Sequence, residues 1–185
     1  MKMYWELMKD ATLGHYLAHE AGRLAGVDGD RIGQWARWGH IRASVSAGDP
    51  HVYAFADVAD ALAVRILLDA GVALPLIRAA VVHLGGEHPL ANGLHVVDGR
   101  MAVERVDGLE DVFTEQRVFE LDGKLDPVAL LRAGGWPSLV TGVPVDVDPE
   151  RAAGRPCLPG TRTPVADAIA LGTSVDIERW WACAA

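Results

Sequence analysis

The sequence predicts an α+β protein. Apolar residues recur every three or four positions between residues 15 and 84, which is the period of amphipathic helices. Residues 94–106 are typical of a β-hairpin, with Asp98 and Gly99 suited to a two-residue turn. Half of the 185 residues are hydrophobic, enough to bury a sizeable core. We expect a helical domain over 1–90, a β-rich connector over 91–140 and a short C-terminal helical domain over 141–185.

Two short helices joined by a tight turn begin the helical domain. The first covers 15–25, and its apolar face has the i, i+4, i+7 spacing of Leu17, Ala21 and Leu24. Gly26 suits the left-handed conformation of a C-terminal cap, and Asp28 or Asp30 can cap the second helix. The second helix is expected to bury Ile32 and Trp35 and to end at Gly39.

A turn-rich stretch over 43–50 separates the second helix from the third. Ile41 begins an extended arm before this stretch, and residues 51–53 return after it, so we expect a small wing. The third helix begins near Phe55 and ends at Gly71. A fourth helix has Pro75 in its first turn, where proline is tolerated, and ends before residue 86.

The second half of the chain alternates short strands, turns and helices. Residues 86–93 are interpreted as a linker, and 117–121 as a strand followed by a turn at 122–123. Asp126 can cap a short helix that begins at Pro127. Further elements are expected at 143–147 (a strand), 154–164 (irregular, with three prolines), 165–172 (a helix) and 173–185 (one short helix).

Charge and composition exclude several classes of protein. The net charge of −8 and pI near 5.3 argue against a protein that coats nucleic acid indiscriminately, since such binding needs positive charge. The sequence has no run of 18 apolar residues, so it predicts no membrane-spanning helix. The N-terminus lacks the apolar region of a signal peptide. Two cysteines make no disulfide framework. We therefore expect a cytoplasmic protein with no membrane contact.

A local basic patch points to DNA. Residues 31–42 contain three arginines and no acid. Arg31, Gln34 and Arg37 recur every three residues, so they share one face of the second helix, and arginine and glutamine read guanine and adenine by paired hydrogen bonds. Trp38, His40 and Arg42 are expected to contact the sugar-phosphate backbone. For Trp38, simple packing is an equal alternative.

The order of these residues resembles the winged helix-turn-helix of MerR-type regulators. The matching positions lie within about 16–85: Ala21, Leu24, Gly26, Val27, Trp35, Gly39, Ile41, Arg42, Tyr53, Phe55, Asp57 and Val58. The resemblance implies a DNA-binding domain that acts as a homodimer, because helix-turn-helix proteins usually read paired half-sites. The long dimerisation helix and the sensor half of MerR regulators are missing. A helix-turn-helix retained for protein contact is the alternative.

A second resemblance lies in the segment GRPCLPGTRTPV (154–165). It is similar to an antitoxin-like domain, and the combination with a MerR-like domain resembles VapB-type antitoxins encoded beside a PIN-domain, VapC-type ribonuclease. This implies the antitoxin of a type II toxin–antitoxin pair that also binds operator DNA to regulate its own transcription. Arg155 and Arg162 are candidates to pair with nuclease carboxylates. Trp180 and Trp181 are either packed or a toxin-binding patch.

The second resemblance is incomplete, and other functions remain open. The family continues with two more helices, so the C-terminal unit is either truncated or completed by a partner subunit. The glycines of 154–161 resemble a phosphate loop, but its lysine is missing. Arginines near Cys157 favour an acidic thiol, yet no base is assigned, and we interpret Cys157 as structural. His83 and His88 are interpreted as surface residues.

No catalytic group, metal site or cofactor is assigned from the sequence, and an enzyme is the weakest hypothesis. The alternatives to an antitoxin are a stand-alone transcriptional regulator without a toxin partner and an interaction module that does not bind DNA.

Overall fold

Helices and two antiparallel sheets make up the structure, a computed structural model that describes residues 14–91, 94–97, 99–105, 107–118, 124–172 and 174–184. Both classes of element are present, as the α+β prediction requires. Within these ranges, none of the helices combines the length and apolarity that crossing a lipid bilayer would need.

The first half of the described chain is mainly helical. Its elements in order are β1 (Tyr16–Leu17), α1 (Ala18–Ala25), α2 (Gly29–Arg37), β2 (Val52–Tyr53), α3 (Phe55–Asp69) and α4 (Leu74–Leu84). All four predicted helices are found, and Pro75 lies in the first turn of α4 as expected. The periodicity of the sequence located these helices but began the first one too early, since Leu17, predicted on its apolar face, lies in β1 and is 40% exposed.

The α1–α2 pair forms through local caps and close backbone packing. Gly26 ends α1 in the left-handed conformation, and the Asp28 carboxylate accepts a 2.7 Å hydrogen bond from the Arg31 amide to cap α2. A side chain at Gly29 would stand 3.0 Å from the backbone of His19. A glycine here therefore allows α2 to begin against the start of α1.

The predicted wing is reduced to a single bridge, and the strand that returns after it pairs with a segment that precedes α1. Strand β2 is antiparallel to β1, which precedes α1, with Tyr16 opposite Tyr53 and Leu17 opposite Val52. The loop before β2 contacts it through a bridge between Ser46 and Val52. The sequence around residues 43–53 could not predict this pairing, because β1 lies far away in the chain, before α1.

A five-stranded antiparallel sheet occupies the middle of the chain. Its strands are β3 (Leu94–Val97), β4 (Arg100–Arg105), β5 (Gly108–Asp111), β6 (Arg117–Val118) and β7 (Lys124–Leu125), in the order β6-β5-β4-β3-β7. The pairing of Val97 with Arg100 confirms the two-residue hairpin connection.

Strands β6 and β7 lie at opposite edges of this sheet and do not pair with each other. The predicted turn at 122–123, Asp98 and residues 119–121 lie outside the described residues.

The C-terminal part contains four short helices and a tight loop. The helices are α5 (Pro127–Arg132), α6 (Gly135–Thr141), α7 (Val165–Ala170) and α8 (Val175–Ala184), with a 3-10 turn at Ala152–Gly154. Asp126 caps α5 through the Ala129 amide, as predicted. Helix α6 was not predicted, because its flanking glycines and Pro137 resemble a loop, although a first helical turn accepts proline.

The predicted strand over 143–147 is wrong as a regular element. Asp146 exchanges backbone hydrogen bonds of 2.8 and 3.0 Å with Cys157 in the following loop, which leaves an isolated bridge rather than a ladder.

One apolar core extends across the predicted domain boundaries. Its largest fully buried side chains include Trp35 of α2, Phe55 of α3, Leu131 of α5 and Trp180 of α8. The segment interpreted as a linker belongs to this core, since Leu90 is fully buried. His88, predicted to lie on the surface, is 3% exposed, and that prediction is wrong. Its neighbours in space, not in sequence, enclose it.

Candidate nucleic-acid interface

Helix α2 is held by one face and exposes the other. Ile32 and Trp35 are buried, as predicted, and lie in the core beneath the helix. The predicted DNA-contacting residues of the opposite face are exposed: Arg31, Gln34, Arg37 and Trp38. Trp38 is 52% exposed, so about half of its surface is accessible and packing alone does not account for this side chain. Two cations, an amide and an aromatic ring are therefore accessible together on one short helix.

The C-terminal end of α2 is a tight, fully hydrogen-bonded turn. Gly39 has a φ of +75° and donates its amide to the Ala36 carbonyl at 3.1 Å. The His40 amide donates to the Trp35 carbonyl at 2.9 Å, which completes a Schellman motif. This turn fixes the direction of the chain after α2.

His40 does not share the exposure of its neighbours. The ring is 5% exposed and lies edge-on to Trp38, at 6.3 Å between ring centroids. Burial lowers the pKa of His40, and the positive charge of Arg78 lowers it further. Hydrogen bonds with the backbone of Leu74 and Trp35 raise the pKa but do not outweigh burial. A buried, neutral imidazole is not presented to a phosphate, so the expectation for His40 is corrected to a packing role.

Arg37 lies back along its own helix. A side chain at Gly33 would stand 3.3 Å from a guanidinium nitrogen of Arg37, one turn further on. Burial raises the pKa of the Tyr53 hydroxyl, and the charge of Arg37 opposes that shift, so the guanidinium also faces β2. The absence of a side chain at Gly33 therefore leaves room for the position of Arg37, a role that sequence reasoning missed.

The loop after α2 is anchored to α3. Arg42 is exposed, as expected, and two residues later Ser44 donates its amide at 2.8 Å and its hydroxyl at 2.6 Å to one oxygen of Asp57. The same oxygen accepts the Ala54 amide at the start of α3. An acid three residues after Ala54 suggests a capping role, but nothing in the sequence indicates its contact with Ser44.

Charged residues that precede the segment 154–165 hold it by hydrogen bonds. Arg151 lies 3.4 Å from Asp146 and 3.6 Å from Asp148, and Asp146 also accepts the Gly160 amide at 2.7 Å. Arg155 and Arg162, the predicted toxin-contacting residues, are both exposed on this loop.

Within the loop, the Cys157 thiol is buried, and burial raises its pKa despite the charges of Arg151 and Arg155. The favoured acidic thiol is therefore corrected, while the structural interpretation of Cys157 agrees with its burial.

The two tryptophans of α8 are packed against the protein. Trp180 is fully buried and donates its indole N–H to the Ser138 hydroxyl at 2.9 Å. Trp181 is partly buried beneath the Arg23 guanidinium, 3.9 Å from the ring centroid. The hypothesis of an exposed toxin-binding patch at these residues is corrected, because helices α1 and α6 already cover much of the pair.

Comparison with known proteins finds relatives that are named as transcriptional regulators, and a solved structure with a similar fold. No family model matches the chain. It is 32% identical over 145 residues to two proteins named as uncharacterized HTH-type transcriptional regulators, Rv1830 of Mycobacterium tuberculosis and Mb1861 of Mycobacterium bovis. The match covers 75% of this chain and 61% of each relative, so the chain spans about three fifths of their length.

The crystal structure of Rv2018 from Mycobacterium tuberculosis is 20% identical to the chain and superposes with a TM-score of 0.55. The superposition covers 91% of this chain and 95% of that one. At this level of identity, the likeness shows a shared fold.

Proposed function

We propose that this protein is a DNA-binding transcriptional regulator, and that α1, α2 and the following loop act as a winged helix-turn-helix. The observation that carries the proposal is α2, a helix capped at both ends whose apolar face is buried and whose other face exposes Arg31, Gln34 and Arg37. A rigid helix with such side chains suits the major groove. The names of the HTH-type relatives support the same class of function.

Each exposed residue has a distinct role in this proposal. Arg31, Gln34 and Arg37 read base edges, because their side chains form paired hydrogen bonds with guanine or adenine. Arg42 and Trp38 contact the sugar-phosphate backbone and set the register of the helix. His40 is left out because it is buried. The protein acts as a homodimer on paired half-sites.

DNA binding is tested by fluorescence anisotropy with the sequence upstream of the protein's own gene. We expect specific binding that weakens steeply with salt, since phosphate contacts release counterions. Arg31→Ala should cost about 1–3 kcal/mol of binding free energy and relax specificity at one base pair. Arg105→Ala, an exposed arginine of β4, is the control and should leave affinity unchanged. Salt-independent or absent binding contradicts the proposal and favours an interaction module.

We further propose that the regulator is the antitoxin of a type II pair and neutralises a PIN-domain ribonuclease. The observation favouring this is the loop over 154–165, which Asp146 and Arg151 anchor by hydrogen bonds while Arg155 and Arg162 remain exposed. Arginines presented on a preorganised loop suit the carboxylates of a nuclease centre, because the guanidinium forms two-pronged pairs with carboxylates. Trp180 and Trp181 have no part in this contact.

Co-expression with the adjacent reading frame tests the antitoxin proposal. We expect a small ribonuclease to copurify in stoichiometric amount and to be inactive in the complex. The double change Arg155→Ala and Arg162→Ala should release ribonuclease activity, whereas Arg105→Ala should not. If the frame is expressed and soluble but does not copurify, the protein is a stand-alone regulator.

A further inference from the structure

Three ionisable side chains are buried together beneath the loop that follows α2. Asp57 and Asp60 of α3 are 0% and 2% exposed, and His88 is 3% exposed. The His88 Nδ1 atom lies 3.3 Å from Asp60 Oδ2 and 3.5 Å from Asp57 Oδ1. Buried carboxylates are costly unless they are paired, so the imidazole is the natural counter-charge.

The two carboxylates use their remaining oxygens to hold backbone segments. Asp60 Oδ1 accepts the amides of Leu90 at 3.1 Å and Ala91 at 2.7 Å. Asp57 Oδ2 accepts the Ala54 amide together with the amide and hydroxyl of Ser44. One cluster therefore joins the loop after α2, the first turn of α3 and the segment 88–91.

Within this cluster, several acidic side chains surround the single basic side chain of His88. His88 faces Asp60, Asp57 and Glu87, while Asp57 also faces the hydroxyl of Tyr53. Burial opposes the charged form of His88, but the hydrogen bond and charge of Asp60, together with the other acids, outweigh burial and raise the pKa of the imidazole. Burial also raises the pKa of Asp60. Both shifts mean that the folded cluster keeps its protons to a higher pH than the unfolded chain.

Other interpretations of the cluster fit less well. Within the described residues, no group of three or more His, Cys, Asp and Glu side chains is arranged to hold a metal ion. The three side chains are almost fully enclosed, so a substrate has no access to them. What the cluster does touch is the loop that carries Arg42.

We propose that His88 is a positioning residue for the loop over 42–48. By pairing with Asp57 and Asp60, it orients the Asp57 carboxylate that fixes Ser44, and through Ser44 it places Arg42 beside α2. The importance of this contact for DNA rests on the proposed function. The contact itself does not, since it is a property of the free protein.

A consequence is that the loop responds to pH. When His88 loses its proton, the buried Asp57 carboxylate loses the positive charge beside it, so we expect its orientation toward Ser44 to be held less firmly. The loop should therefore be held firmly at pH 6 and loosen as the pH rises to 8.

Hydrogen exchange of the Ser44 amide tests the inference directly. Protection factors are compared at pH 6 and pH 8, with the amide of Leu67 in α3 reporting global unfolding. We expect the protection of Ser44 to fall by a larger factor than that of Leu67. His88→Gln should give low protection at both pH values, and His83→Gln, which changes an exposed histidine of α4, should behave as the unchanged protein.

Ser44→Ala provides a second variant in case His88→Gln does not fold. It removes the hydroxyl from the loop and leaves the three buried side chains intact, so protection should fall at residue 44 and not at Ala91. Equal relative protection of Ser44 at pH 6 and pH 8 in the unchanged protein would overturn the inference.

DNA affinity measured in parallel separates the two proposals. Affinity for the upstream sequence should weaken from pH 6 to pH 8 with the loss of Ser44 protection, and Ser44→Ala should remove most of that dependence. If Ser44 protection changes as expected but no DNA binds at either pH, the proposed function fails and the positioning role of His88 stands.

Discussion

At the residue scale, exposure decides which side chains are available for binding. His40 and Trp38 are two positions apart in the sequence and were assigned the same role, yet one is 5% and the other 52% exposed. Likewise, Trp180 is fully buried and its neighbour Trp181 partly so. The reason is that a helix or turn directs adjacent residues to different sides. Candidate residues in such pairs have to be judged separately.

Gly33→Ala should affect stability and DNA binding in opposite directions. Alanine favours a helix over glycine by about 1 kcal/mol, so the unfolding free energy should not fall. The new Cβ would stand 3.3 Å from the end of the Arg37 side chain and displace it. Urea denaturation and anisotropy measure the two effects. Unchanged DNA affinity would show that the present position of Arg37 is not required.

Trp180→Ala and Trp181→Ala should differ strongly in stability. Removing Trp180 empties a fully buried site and leaves Ser138 without its partner, at a cost of about 3–5 kcal/mol. Removing Trp181 loses mainly a partly exposed stacking contact with Arg23, for which about 1 kcal/mol is expected. Thermal or urea unfolding distinguishes them, and similar losses would contradict the different burial of the two rings.

At the element scale, the caps of α2 connect sequence to the proposed recognition surface. The Asp28 carboxylate and the turn at Gly39 satisfy the helix ends, so nine residues form a defined helix. A helix of this length is marginal in isolation and depends on its buried face and its caps. Loss of a cap should therefore loosen the residues proposed to read bases.

Asp28→Ala should destabilise the protein by about 1 kcal/mol through loss of the N-terminal cap of α2. Asp30→Ala is the matched control. Asp30 is exposed in the first turn of the same helix, and its replacement removes the same negative charge. In high salt, which screens the interaction with the helix dipole, Asp30→Ala should be nearly neutral. Equal unfolding free energies for both variants would show that the Asp28 hydrogen bond contributes little.

At the scale of the whole molecule, distant parts of the chain depend on one another. The Tyr16 hydroxyl, next to α1, donates a buried 2.8 Å hydrogen bond to the Gly154 carbonyl of the C-terminal loop. Helix α8 places Trp181 under Arg23 of α1. The proposed DNA-binding and toxin-binding regions therefore share one core, and a change in one region is expected to alter the stability of the other.

The contribution of His88 to the stability of the whole molecule should fall as the pH rises from 6 to 8. Because the pKa of His88 is raised on folding, its contribution is full below the ordinary histidine pKa and is lost as the pH passes the folded value. The lowered pKa of His40 acts in the opposite direction, so the contribution of His88 is obtained by comparison with His88→Gln. Urea denaturation across this range measures the slope. The slope of stability against pH should be more positive in His88→Gln than in the unchanged protein, and equal slopes in the two would contradict the assignment.

The sequence by itself determined the elements that depend on near neighbours. The α1–α2 pair, the hairpin connection between β3 and β4 and the helix beginning at Pro127 were all predicted and are present. A cap at Asp28 or Asp30 was also predicted, and Asp28 provides it. Their signals, which are apolar periodicity, capping residues and turn residues, operate over a few positions. Such local hydrogen bonds and patterns can be recognised in one chain without knowledge of its fold.

Only the tertiary structure decided what those elements meet. It paired β2 with β1, placed β6 and β7 at opposite edges of the sheet and brought His88 to Asp57 and Asp60. It also buried His40 and Trp180. These outcomes depend on contacts between residues about 30 or more positions apart or on enclosure by several elements. Whether a side chain is buried depends on the elements that pack around it, and a local sequence pattern gives no information about those elements.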